Sequence, residues 1–169
     1  MHSLEDPFAF ARSAGKQRGD IAVALLTRLR DRLVGDTGFV SYEVRGCRDR
    51  RERFTLELEI HGNLQLQCGW CMAPVNYPLK IHATVLLAGP GKVPHEDDDL
   101  SDPEWIEAGH DLNLVELMED EILLGLPVSV RHARTDCQAD GLVQSGTHAA
   151  ESPFAGLAGL QDVGRTHTR

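Results

Sequence analysis

The sequence predicts an α+β fold: a mostly antiparallel β-sheet of about four or more strands, with packed helices and a short C-terminal helix. Three observations predict it. Apolar and polar residues alternate with period two through most of residues 40–87, the mark of strands with one buried face. Helix-period apolar spacing flanks that region on both sides. The length of 169 residues suits one core, and aromatics are only 5%, so aliphatic side chains must fill it.

The elements follow in order. "DPFAFARSAG" is a short helix with Asp6 as cap, Pro7 at its first position and Gly15 at its end. "DIAVALLTRLRDRLVG" repeats Ile21, Leu25, Leu29 and Leu33 every four residues, which predicts an amphipathic helix from Asp20 to Gly35. Strands then alternate Val40, Tyr42, Val44 and Phe54, Leu56, Leu58, Ile60. "HGN" predicts a hairpin turn into Leu64, Leu66 and Cys68, and a fourth strand alternates Tyr77, Leu79, Ile81, Ala83, Val85 and Leu87. Residues 89–111 read as a long Gly-, Pro- and Asp-rich loop. A helix follows, capped by Asp111 and stopped by Pro127, with Leu112, Val115, Ile122 and Leu126 on one face and Met118 and Leu123 at its margins. The domain expectation is a single α+β domain over 1–132, a flexible linker over 133–151, and a 152–169 tail whose helix spaces Phe154, Leu157 and Leu160 by three.

The net charge of −9 is uneven: +3 over residues 1–53 and −12 over 54–169. An acidic chain is repelled by phosphate backbones overall, so nucleic-acid contact must be local. Arg45, Arg48, Arg50, Arg51 and Arg53 form the candidate RNA-binding patch, with a solvated inter-strand loop as the plainer reading. No apolar run approaches the roughly 18 residues of a membrane span. Glu5 and Asp6 stand where a signal peptide is basic, so the expected location is the cytoplasm.

Cys68 and Cys71 form a Cys-x-x-Cys pair. Two thiolates so spaced can grip one tetrahedral zinc, which then needs two more ligands. Cys137 is the first choice and His132, five residues before it, the second; Cys47 and His61 are the alternatives. One structural zinc is thus the cofactor expected if metal is bound. A redox dithiol needs its pair at a helix start, yet Pro74 and Pro78 break any helix there. The third reading is a hairpin turn with inert thiols and Trp70 as packing.

Glu116, Glu119, Asp120 and Glu121 form an acidic run on the later helix. Glu119 falls inside the apolar stripe, four after Val115, and the others point away from it. The run suits docking to a basic protein, and it and the tail residues Phe154 and Leu157 are the candidate partner-binding residues. "HEDDDLSD" lacks the glycine of a calcium loop, and "GPGK" is too short for a phosphate loop. Gly-x-Ser-x-Gly and His-Glu-x-x-His are both missing, so the residues point away from an enzyme.

Read together, these segments resemble the YceD family, the large ribosomal RNA subunit accumulation proteins. The resemblance rests on Glu119–Pro127 as Glu-Asp-Glu-Ile-Leu-Leu-x-Leu-Pro and on Cys68 and Cys71 after a strand pair. His132 then Cys137 after the helix, and the Pro153-Phe154-x-x-Leu157-x-x-Leu160 tail, complete it. Some members carry a longer cysteine array after the helix, where this chain has Cys137 alone, and a lysine where it has Gln161. The resemblance implies a non-enzymatic factor for synthesis, processing or stability of 23S ribosomal RNA. Its implied partners are large-subunit RNA or its precursor particle and a ribosomal protein, with no membrane and no small-molecule substrate. The alternative is a zinc-stabilised protein-interaction module unrelated to ribosomes; a thiol oxidoreductase is a weaker third.

Overall fold

The computed structural model describes residues 2–92, 104–133 and 137. The chain divides into two units, Met1–Cys137 and Gln138–Arg169. The second unit, and with it most of the expected 133–151 linker and the whole 152–169 tail, lies outside the described residues.

The fold is α+β. A five-stranded sheet runs in the order β2(Lys16–Ala22), β3(Phe39–Arg48), β4(Phe54–Gln67), β5(Pro74–Ala88), β6(Glu104–Glu107). The first three pairings are antiparallel and β5–β6 is parallel. A two-stranded ribbon joins β1(Ser3–Leu4) to β7(Leu112–Asn113). Two helices, α1(Pro7–Arg12) and α2(Leu114–Gly125), and two 3-10 helices, Val23–Leu25 and Thr27–Arg32, complete the described elements.

One face of the sheet is the core. The register stacks Ile21, Val40 and Leu79 in one row, Tyr42, Ile60 and Ile81 in the next, and Val44, Leu58 and Ala83 in the third. Most of these side chains are buried, whereas Glu43, Glu57, Glu59, His61, Lys80 and His82 alternate onto the other face. Asp6 caps α1 as expected, accepting from the Ala9 N–H at 2.8 Å. Helix α1 lies so close to β3 that a Cβ on Gly46 would sit 2.6 Å from Ala11 Cα and Phe10 O. The Gly46 N–H donates to Gly15 O at 2.8 Å, which ties the two elements together.

Four expectations are corrected. The helix expected over 20–35 is strand β2 followed by the 3-10 turns. Its four-residue repeat is incidental: Leu25 is 50% exposed, and the buried set is Ile21, Val23, Leu26 and Leu29. That spacing of two and then threes fits a strand ending in 3-10 turns, and pairing with β3 overrides local helix preference. "HGN" makes no turn: β4 runs unbroken because Ile60, Gly62, Leu64 and Leu66 stay in phase on the inner side. The 89–111 loop contains β6 and approaches β7, since Glu104–Glu107 pairs with Val85–Ala88. Helix α2 starts later, with Asn113 rather than Asp111 as cap, and buries Leu114, Leu117, Met118, Glu119 and Ile122. The stripe is thus rotated by about one residue from the Leu112/Val115 face.

Candidate metal centre

The knuckle forms because β4 and β5 must reverse direction within Cys68–Ala73. The Cys68 N–H donates to Ala73 O at 2.9 Å and the Met72 N–H to Cys68 O at 3.0 Å, with Met72 at φ +61°. This turn is locked to the segment that leaves α2. Cys68 bridges Val130 in parallel, and the Gly69 N–H donates to Val130 O at 2.9 Å. The approach is close at Gly69, where an added Cβ would lie 2.0 Å from Ser129 Oγ and the hydroxyl would have to rotate away. The crossing brings His132 and Cys137 to the two knuckle thiols.

The four ligating atoms of Cys68, Cys71, His132 and Cys137 all lie within 4.8 Å of one another. Cys68 Sγ is 3.9 Å from Cys137 Sγ, and Cys71 Sγ is 3.4 Å from His132 Nδ1. A tetrahedron with Zn–S of about 2.3 Å and Zn–N of roughly 2.0–2.1 Å has S···S edges of about 3.8 Å and S···N edges of about 3.5 Å. The residues therefore fit a zinc ion. His132 Nε2 lies 2.9 Å from Pro74 O. A carbonyl only accepts, so Nε2 carries the proton and the neutral ring offers its Nδ1 lone pair to a metal. Cys47 and His61, the alternative ligands, are not among the four.

The electrostatics prepare the Cys68 thiol. Cys68 is pulled down to about 5, first by the Cys71 backbone N–H, with burial opposing and His132 and the Trp70 N–H adding to the pull. His132 is pushed up, first by the Pro74 carbonyl and then by Cys68. Both shifts favour the charged forms, a thiolate on Cys68 and an imidazolium on His132. Burial of Cys68 at 0% exposure closes it to an incoming disulfide, which disfavours redox exchange.

The arginine patch is built differently from its linear spelling. Arg45 projects beside Glu43, and the register sets Lys16 and Arg18 of β2 against that pair. Glu43 takes Lys16 Nζ at 2.8 Å and also pairs with Arg18 and Arg45. The Lys16 ammonium first, with burial opposing and the two guanidiniums adding, holds the Glu43 carboxyl at about 2. Arg48 pairs with Glu52 at 3.1 Å and stacks 4.6 Å from the Phe54 ring centre, with Arg12 5.7 Å from the same centre. Arg53 pairs with Asp49 at 2.7 Å, and Asp49 Oδ1 also accepts the Arg51 and Arg53 N–H groups. Arg50 and Arg51 lie in the exposed β3–β4 turn. Sequence reasoning missed Lys16, Arg18 and Arg12; the Lys16/Arg18/Asp20 alternation was the available signal.

In the acidic run, Glu116 accepts from Asn113 Nδ2 at 2.9 Å and Asp120 pairs with Arg28. Glu121 is pushed up by burial, then by Glu104 and Asp120. Glu119 is 3% exposed, and its Oε1 accepts from the Arg28 N–H at 2.6 Å and the Leu29 N–H at 3.3 Å. It caps the second 3-10 helix from within the fold. Phe154 and Leu157 lie outside the described residues. Among the described residues, no helix is long and apolar enough to cross a membrane.

A family model described as "Large ribosomal RNA subunit accumulation protein YceD" matches residues 56–161, more than half of the chain. The match spans the knuckle, α2 and both later ligands. No curated protein and no solved structure matches the chain.

Proposed function

Because the chain belongs to the YceD family of large ribosomal RNA subunit accumulation proteins, we propose that it is a non-enzymatic, cytoplasmic ribosome-biogenesis factor. It supports synthesis, processing or stability of 23S ribosomal RNA. The observation that carries this reading is the family match over 56–161. The site chemistry supports it: the convergent side chains are thiols and an imidazole closed around one point, a ligand set rather than a nucleophile facing a cleft.

One structural zinc held by Cys68, Cys71, His132 and Cys137 fastens the β4–β5 turn to the segment after α2. Arg45, Arg48, Arg50, Arg51 and Arg53, joined by Lys16 and Arg18, meet ribosomal RNA. Glu116, Asp120 and Glu121, with Phe154 and Leu157 of the 152–169 tail on its 133–151 linker, meet a ribosomal protein. Glu119 belongs to that acidic run in sequence; it is buried, and in this reading it serves the 1–132 domain's own stability.

Deleting the gene and measuring large- against small-subunit RNA tests the function. A selective fall of the large-subunit RNA is the expected result; equal loss of both, or no loss, refutes it. If zinc is bound and neither RNA falls, the interaction-module reading takes its place. Charge reversal at Arg48, Arg50 and Arg51 should lower retention on precursor large subunits, and unchanged co-sedimentation refutes the RNA role of the patch.

A further inference from the structure

The knuckle that gathers the zinc ligands also displays side chains that coordination does not use. Trp70, between the two cysteines, is 54% exposed, and Met72 just after them is 60% exposed. The strap after α2 adds Val128 at 92% exposure. Nothing in the packing of a hairpin turn requires a large ring there, and Trp70 is absent from the buried core. Arg131 lays its guanidinium 5.4 Å from the Trp70 ring centre. Arg32 is held beside the strap by two 2.8 Å bonds from Nη2 to Pro127 O and Val128 O. Next to these runs a cleft of about 270 Å³, lined by Arg32, Met72, Val128, Gln67 and one acid, Asp31.

We propose that this face is a single-stranded RNA site, in which an unpaired base stacks on Trp70 while Arg131 and Arg32 meet the adjoining phosphates. An exposed indole with a guanidinium over it offers a base a π-face and its phosphate a charge. Both features sit on a chain that is acidic overall, so a polyanion is favoured only where cations gather locally, as Arg131 and Arg32 do here. The turn and the strap are joined through Cys68–Val130 and the four ligands, so metal keeps Trp70 and Arg131 in register. The site is separate from the Arg45–Arg53 patch, which lies on the β3–β4 turn, whereas the knuckle is the β4–β5 turn. The choice of RNA rests on the ribosomal reading above.

The test uses the full zinc-loaded chain carrying Trp105→Phe, so that Trp70 alone reports. Titration with a short single-stranded oligoadenylate quenches its fluorescence, and the affinity falls as salt rises. In a labelled-oligonucleotide assay, Trp70→Ala weakens binding by about fivefold to 150-fold. Trp70→Phe retains most of the affinity and Arg131→Gln loses several-fold, with zinc content and urea midpoint unchanged in each. No quenching, or Trp70→Ala binding as tightly as its parent, overturns the proposal. A Trp70→Ala defect confined to binding a purified ribosomal protein overturns it in favour of a protein contact. The family-level reading fails independently: oligoadenylate binding with no selective loss of large-subunit RNA on deletion leaves this site standing. Selective loss on deletion without oligonucleotide binding leaves only the family reading.

Discussion

Replacing Glu119 with alanine removes the acceptor from two amide N–H groups 90 and 91 residues away in the chain. The Arg28 N–H loses a 2.6 Å bond to a carboxylate, and no backbone acceptor among the described residues replaces it. The Leu29 N–H is fully buried and keeps only a 3.3 Å bond to Leu26 O. Losing a helix cap typically costs about 1 kcal/mol, and a buried donor left unmet costs about 1–3. Removing a buried carboxylate returns part of its desolvation cost. The net expectation for Glu119→Ala is about 2–3 kcal/mol of lost stability. With a urea slope of about 1–3 kcal/mol/M for a small domain, the midpoint falls by roughly 0.7–3 M. Glu119→Gln keeps the acceptor and the shape, so it loses about 1 kcal/mol. Asp120→Ala breaks an exposed pair with Arg28 and changes stability by no more than about 0.5 kcal/mol. Equilibrium urea denaturation followed by circular dichroism measures all three. If Glu119→Ala unfolds within about 0.5 M of the parent, less than the smallest shift expected, the internal cap is wrong. The acid would then be free to serve a partner.

Three further outcomes follow from particular contacts. Gly46→Ala drives a methyl group to 2.6 Å from the backbone of α1, which cannot rotate away, so thermal denaturation should reveal a loss of about 2 kcal/mol or more. Protein purified without chelator should contain one zinc per chain by elemental analysis; Cys68→Ser abolishes it and lowers the melting temperature, whereas Cys47→Ser does neither. Glu43 is depressed from 4.5 to about 2, so the stability it confers is complete above pH 4.5 and is lost as pH falls toward 2. The gap in urea midpoint between the parent and Glu43→Gln should therefore close across that window, and a gap independent of pH would contradict the Lys16–Arg18–Arg45 cluster.

Legibility in the sequence followed the range of the interaction. Period-two alternation is local, and it identified β3, β4 and β5 and the face each buries. The same rule held the answer at His61-Gly62-Asn63, where turn-forming residues outweighed an alternation that never lost phase. The caps Asp6 and Asn113 are local as well, but two polar residues, Asp111 and Asn113, compete within one turn of the start of α2. Residues 20–35 were misread because Ile21, Leu25, Leu29 and Leu33 mimic a helical face. Pairing with β3 supplies backbone partners that a helix would have found within itself.

By itself, then, the sequence determined the fold class, the family motifs, the thiol pair and the position of Glu119 on an apolar stripe. Each depends on residues within a turn or a strand of one another. Tertiary structure alone decided what Glu119 caps, that Lys16 and Arg18 gather around Glu43, and that His132 and Cys137 reach the knuckle. Those partners lie 25 to 91 residues apart in the chain. They meet only after sheet register and the Cys68–Val130 crossing have closed the loops between them.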